Sequence, residues 1–119
     1  SYHGYKIHYI DRKKLTISKG HHSVNCYDIA QYYEGKPLLD AYSENIRKPL
    51  DPQYLSMKEK RDIFSLHYYS RHKNQVREYC ISDCILTKEL AENWIKIFHA
   101  NFEFYPANWI SSGYLAEKV

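Results

Sequence analysis

From Gln75 to Ala100 the apolar residues recur at helical spacing, and this long stretch constrains the chain more than any other. Val76, Tyr79, Cys80, Asp83, Leu86, Leu90, Trp94 and Ile97 form its inner side, while Glu78, Lys88, Glu89, Glu92 and Lys96 fall mostly outside. Asn74 stands where a helix cap belongs. Tyr79 and Asp83 lie four residues apart, so a helix stacks a phenol and a carboxylate on one face. A carboxylate facing an interior or a cleft needs a partner, and a metal ion is one candidate. Asp83 supplies the hard oxygen ligands that suit magnesium or manganese, and Tyr79 supplies a hydroxyl able to hold a water. Chance spacing of a tyrosine and an aspartate in an ordinary helix is the competing explanation.

The N-terminal third has a different period. Tyr5, Ile7 and Tyr9 alternate with Lys6, His8 and Ile10, and Leu15 and Ile17 repeat the pattern after the turn Asp11–Lys14. This predicts a β-hairpin, followed by a loop at 20–23 and a third strand from Val24 to Ile29. Strands therefore span about 5–29, and helices follow at about 37–46, 56–69 and 75–100. Pro37 and Asp40 suit the start of the first helix, with Leu38, Leu39, Tyr42 and Ile46 as its buried stripe. Residues 47–52, fenced by Pro49 and Pro52, read as a loop. Ser56 and Glu59 have the form of a capping box for the second helix. Lys58, Lys60 and Arg61 near its start either contact a nucleic-acid strand or make a solvated helix end. Ser111, Ser112 and Gly113 open a last helix that stops at Val119. The expected class is α/β, with three strands and helices packed on them, in one domain or the C-terminal part of one.

Composition narrows the function less. Thirteen of the 19 aromatic residues are Tyr, which can stack bases or pack at a core boundary, and their spread through every segment favours packing. The net charge of +3 does not announce a nucleic-acid protein. Its distribution is uneven, because Lys6, Arg12, Lys13, Lys14 and Lys19 face Asp11 alone in the first 22 residues. Such a basic hairpin either follows a phosphate backbone or guards a strand edge. Cys26, Cys80 and Cys84 do not form a disulfide framework and are expected as buried thiols, with zinc at Cys80 and Cys84 a weaker option. His21 and His22 are expected as exposed loop residues. No apolar run spans a membrane and no signal peptide is evident, which predicts a cytoplasmic protein without a membrane partner.

The string Tyr79-Cys80-Ile81-Ser82-Asp83, followed by Ile85-Leu86-Thr87 and Leu90, resembles the third exonuclease motif of the tyrosine-bearing branch of DEDD 3′–5′ exonucleases. Val24-Asn25-Cys26-Tyr27-Asp28-Ile29, Tyr32-Tyr33 and Pro37-Leu38-Leu39-Asp40-Ala41-Tyr42 are similar to the strand and helix before that motif in family B DNA polymerases, especially protein-primed ones. The resemblance covers roughly residues 5 to 100, and its sharp part about a dozen.

It implies a partial RNase H-like exonuclease fold and hydrolysis of terminal phosphodiesters, with Asp83 a ligand of Mg2+ or Mn2+ and Tyr79 orienting the attacking water. The implied partners are single-stranded or 3′-terminal DNA and the rest of a polymerase polypeptide. The first motif of that family, Asp-x-Glu, occurs nowhere in this sequence. The second is approached by Asn25-Cys26-Tyr27-Asp28, one residue short, so Asp28 is either a further ligand or a hydrogen-bond acceptor at a strand end. One carboxylate of four predicts a fragment inactive by itself. A start at Ser1 without Met and a last helix that ends abruptly point the same way. The alternative from another class is a non-catalytic nucleic-acid-binding or assembly module. A third is a compact nuclease that uses Asp28 and Asp83 together.

Overall fold

The computed structural model describes residues 3–109 and 111–119. It is an α/β chain in which a three-stranded antiparallel sheet precedes the helices. Two compact units result, one of residues 1–37 with 92–119 and the other of residues 38–91.

In the first unit, β1 (Lys6–Ile10), β2 (Lys14–Lys19) and β3 (His22–Tyr27) form a meander with β2 in the middle. Ile7 pairs with Ile17 and Ile17 with Val24, while Tyr9 pairs with Leu15 and Leu15 with Cys26. The alternation seen in the sequence therefore sets both the strands and their register. The first turn closes with Lys13 N–H donating to the Ile10 carbonyl at 3.0 Å. The second turn needs only Gly20 and His21, with Gly20 in the left-handed region at φ +61°, so His22 and Ser23 join β3 rather than the expected loop. The Asp28 carboxylate accepts from the Ala30 N–H at 2.9 Å and caps a 3-10 turn over Ile29–Tyr33. It acts as the hydrogen-bond acceptor at a strand end.

The core of this unit is aromatic. Tyr32 stacks on Trp94 with centroids 4.8 Å apart, and its hydroxyl donates to the Trp109 carbonyl. Burial pushes the Tyr32 phenol up to about 12. Phe98 is buried among Phe102, Phe104 and Trp109 at 4.8, 5.3 and 5.4 Å. Asn93 donates to the Tyr33 hydroxyl at 3.3 Å.

The second unit contains α1 (Leu38–Asn45), α2 (Pro52–Glu59) and α3 (Leu66–Arg71). The long helix α4 (Lys73–Phe102) supplies residues 73–91 here and 92–102 to the first unit. A short α5 (Ser112–Lys118) follows, capped by Ser111. Three helix boundaries differ from expectation. Helix α2 starts at Pro52 because Asp51 caps it, its carboxylate accepting from Gln53 N–H at 3.0 Å. Ser56 is therefore inside a helix, not at its cap. The expected helix over 56–69 is broken, because Phe64 is extended and the Ser65 hydroxyl caps α3 by accepting from Tyr68 N–H at 3.1 Å. Asn74 likewise lies within α4 rather than before it.

Ala41, Tyr42, Tyr54, Met57, Tyr79, Leu86 and Leu90 form the core of this unit. No helix among the described residues is long and apolar enough to cross a membrane.

Candidate functional site

Two pairs of side chains meet, each spaced by one helical turn. Helix α4 contributes Tyr79 and Asp83, and α2 contributes Tyr54 and Lys58. The Asp51 cap and Pro52 fix where α2 begins, and so which of its residues face α4. The Lys58 ammonium lies 3.3 Å from Asp83 Oδ1 and 3.3 Å from the Tyr54 hydroxyl oxygen. The Tyr54 hydroxyl donates to the same Asp83 Oδ1. The Tyr54 and Tyr79 rings stack with centroids 5.5 Å apart and 23° between planes, and Phe64 meets Tyr79 edge-on at 5.6 Å. The ammonium also lies 5.6 Å from the Tyr54 centroid and 6.0 Å from that of Tyr79. Lys58 is thus held by a carboxylate and two π faces. Its side chain is 13% exposed and that of Asp83 is 32% exposed.

Both phenols are held in the neutral form. Burial first, then the Asp83 carboxylate, raise the Tyr54 and Tyr79 hydroxyls above their ordinary value. Arg61 acts on the Tyr79 hydroxyl in the opposite sense. At neutral pH both groups are hydrogen-bond donors, not bases. Beside them a cleft of about 220 Å³ is lined by Gln53, Tyr54, Met57, Glu78, Tyr79 and Ser82.

The structure brings Tyr79 and Asp83 together, as the spacing requires. Tyr54 and Lys58 were not identified as their partners from the sequence. They lie 29 and 25 positions from Asp83, and no local pattern links such distant residues. Cys80 and Cys84, expected as buried thiols, are exposed, as is Cys26. The Thr87 hydroxyl donates to the Asp83 carbonyl at 2.8 Å and makes no contact with the carboxylate.

The described residues around Asp83 do not by themselves complete a metal site. Among the described residues no three His, Cys, Asp or Glu side chains come together as a ligand set. Asp83 Oδ1 is already engaged by an ammonium and a phenol. Magnesium needs near-octahedral oxygen coordination, which one carboxylate does not provide. Comparison with known protein families, curated proteins and solved structures finds no match to this chain.

Proposed function

We propose that this chain is part of a 3′–5′ exonuclease domain of the tyrosine-bearing DEDD class, with a partial RNase H-like fold, working within a DNA polymerase polypeptide on 3′-terminal DNA. One observation carries the reading. Tyr79 and Asp83 stand one turn apart on α4, and the Tyr79 hydroxyl lies under the field of the Asp83 carboxylate.

The side chains present have definite roles under this reading. Tyr79, a neutral phenol, orients the attacking water by donating or accepting one hydrogen bond. Asp83 would be one of four carboxylate ligands of a metal centre, the Asp-x-Glu pair among the others coming from sequence not present here. Lys58 compensates the Asp83 charge when no metal is bound, and Tyr54 fixes the orientation of the carboxylate. The chain alone is expected to leave a labelled single strand unshortened.

Paramagnetic broadening by manganese(II) tests the assignment without requiring activity. In NMR spectra of the labelled chain, signals of Tyr54, Tyr79 and Asp83 broaden first, and Asp83→Asn abolishes the effect. Broadening centred elsewhere, or unchanged in the variant, refutes the reading.

A further inference from the structure

Helix α4 carries two thiols on a face that the exonuclease reading does not use. Cys80 and Cys84 are both exposed and lie one helical turn apart. With Arg77, Ile81, Ile85 and Lys88 they line an open cleft of about 350 Å³ whose surface is almost wholly apolar. Asp83, although next in sequence to Cys84, is turned to Tyr54 and Lys58 of α2 and does not line this cleft.

The spacing rules out one use of the pair. Positions four apart on a helix hold their Cβ atoms about 5–6 Å from each other, whereas a disulfide requires about 3.5–4.5 Å. Helix α4 is continuous from Lys73 to Phe102, so a bond between the two sulfurs would have to unwind it. A single atom placed between the sulfurs removes the conflict. With metal–sulfur bonds near the ~2.3 Å of a zinc thiolate, a linear sulfur–metal–sulfur bridge spans ~4.6 Å. Each sulfur then leans only slightly toward the other.

Ligand type and ligand number select the ion. Thiolate sulfur is soft, and it prefers copper(I) or zinc to magnesium, calcium or manganese. Zinc takes four ligands in a structural site and three protein ligands in a catalytic one. Among the described residues no third His, Cys, Asp or Glu joins the pair. Copper(I), a soft closed-shell ion, is satisfied by two sulfurs in a line. Binding releases the two thiol protons to solvent and leaves a complex with one negative charge. Arg77, three residues before Cys80, and Lys88, four after Cys84, bring cations to its two ends. Ile81 and Ile85, both exposed beside the thiols, offer no oxygen donor to a harder competing ion.

We propose that Cys80 and Cys84 form a two-coordinate copper(I) site on α4. The inference is independent of the nuclease assignment.

Anaerobic titration of the chain against the copper(I)–bicinchoninate complex, with ascorbate as reductant, tests it. The chain should withdraw one equivalent of copper(I), read as loss of the chelate's colour. Cys80→Ser and Cys84→Ser should each abolish the withdrawal, whereas Cys26→Ser and Asp83→Asn should leave it unchanged. A hydroxyl in place of an exposed thiol leaves the packing intact, and an unchanged circular dichroism spectrum verifies this for each variant. X-ray absorption of the loaded parent chain, which needs no variant, should find two sulfur neighbours around copper. The proposal is overturned by no withdrawal, by withdrawal that persists in either serine variant, or by displacement of the copper by equimolar zinc. Three or more sulfur neighbours, or a dimer formed on loading, would overturn it in favour of a site shared between chains. Withdrawal lost in Asp83→Asn but retained in Cys80→Ser would overturn it by moving the ion to the other site.

Discussion

The contact between Lys58 and Asp83 can be measured by removing each partner and then both. Lys58→Met keeps the length of the aliphatic stem and its packing on the two tyrosine rings. Asp83→Asn keeps the shape of the carboxylate and removes its charge. At the observed 3.3 Å, Coulomb's law gives about 1.3 kcal/mol in a water-like dielectric and about 5 kcal/mol at an effective dielectric of 20. Lys58 is nearly covered and Asp83 is about one-third exposed, so neither limit applies. Desolvation offsets much of the larger figure. A net coupling of about 1–2 kcal/mol follows. Lys58→Met alone should cost ~1–3 kcal/mol, because the carboxylate keeps only the Tyr54 hydroxyl and its exposed edge. The double variant should be more stable than the sum of the single losses implies. Urea unfolding of all four proteins, read as midpoint shifts at constant slope, gives the coupling directly. Additivity within about 0.3–0.5 kcal/mol would show that the two charges do not interact and would refute the electrostatic account of this site.

Two further predictions concern the core and the phenols. Leu90 is almost wholly buried, so Leu90→Ala should cost about 2–5 kcal/mol in chemical denaturation; a loss below ~1 kcal/mol would mean that the residues around it collapse into the space. The Tyr42 hydroxyl is buried and donates to Glu89 at 2.7 Å, which together push it up to about 12 from the ordinary 10.0. Because the folded state holds this proton more tightly, its stabilising contribution is complete below pH 10 and disappears as pH rises toward 12. Tyr42→Phe should therefore lose ~1 kcal/mol at neutral pH and show a weaker alkaline decline in melting temperature than the parent; an unchanged decline would assign it to other tyrosines.

Features repeated along the chain were legible in the sequence. Tyr5, Ile7 and Tyr9 set the faces of the sheet through a period of two, and Gln75 to Ala100 set the long helix through its period near 3.6. The juxtaposition of Tyr79 and Asp83 followed from the same period. Helix starts were less legible where signals compete. Asp51 and Pro52 make a cap and first turn, but Pro49 close by made the same segment resemble a loop. The misplaced thiols follow from rotation. At about 100° per residue, Cys80 and Cys84 lie roughly 100° and 140° from Tyr79, whereas Leu86 and Leu90 return to within about 20° of it. Lys58 and Tyr54 were not legible at the site, since their relation to Asp83 exists only after α2 and α4 come together.

The discontinuity of the first unit has a consequence for how the chain reaches this structure. Tyr33 and Asn93 are separated by 60 positions, and everything between Pro37 and Glu92 belongs to the other unit. Closing so long a loop from an unfolded chain costs about 3.6 kcal/mol in chain entropy beyond a constant. Residues 38–91 are contiguous, and their cross-element contacts at Tyr42–Glu89, Tyr54–Asp83 and Lys58–Asp83 span 47, 29 and 25 positions, so ordering this unit first shortens the effective loop. The turns of α4 laid down in that step are covalently continuous with those bearing Asn93, Trp94 and Phe98. Helix propagation across residue 91, at one hydrogen bond per residue added, then carries order from the contiguous unit to the discontinuous one.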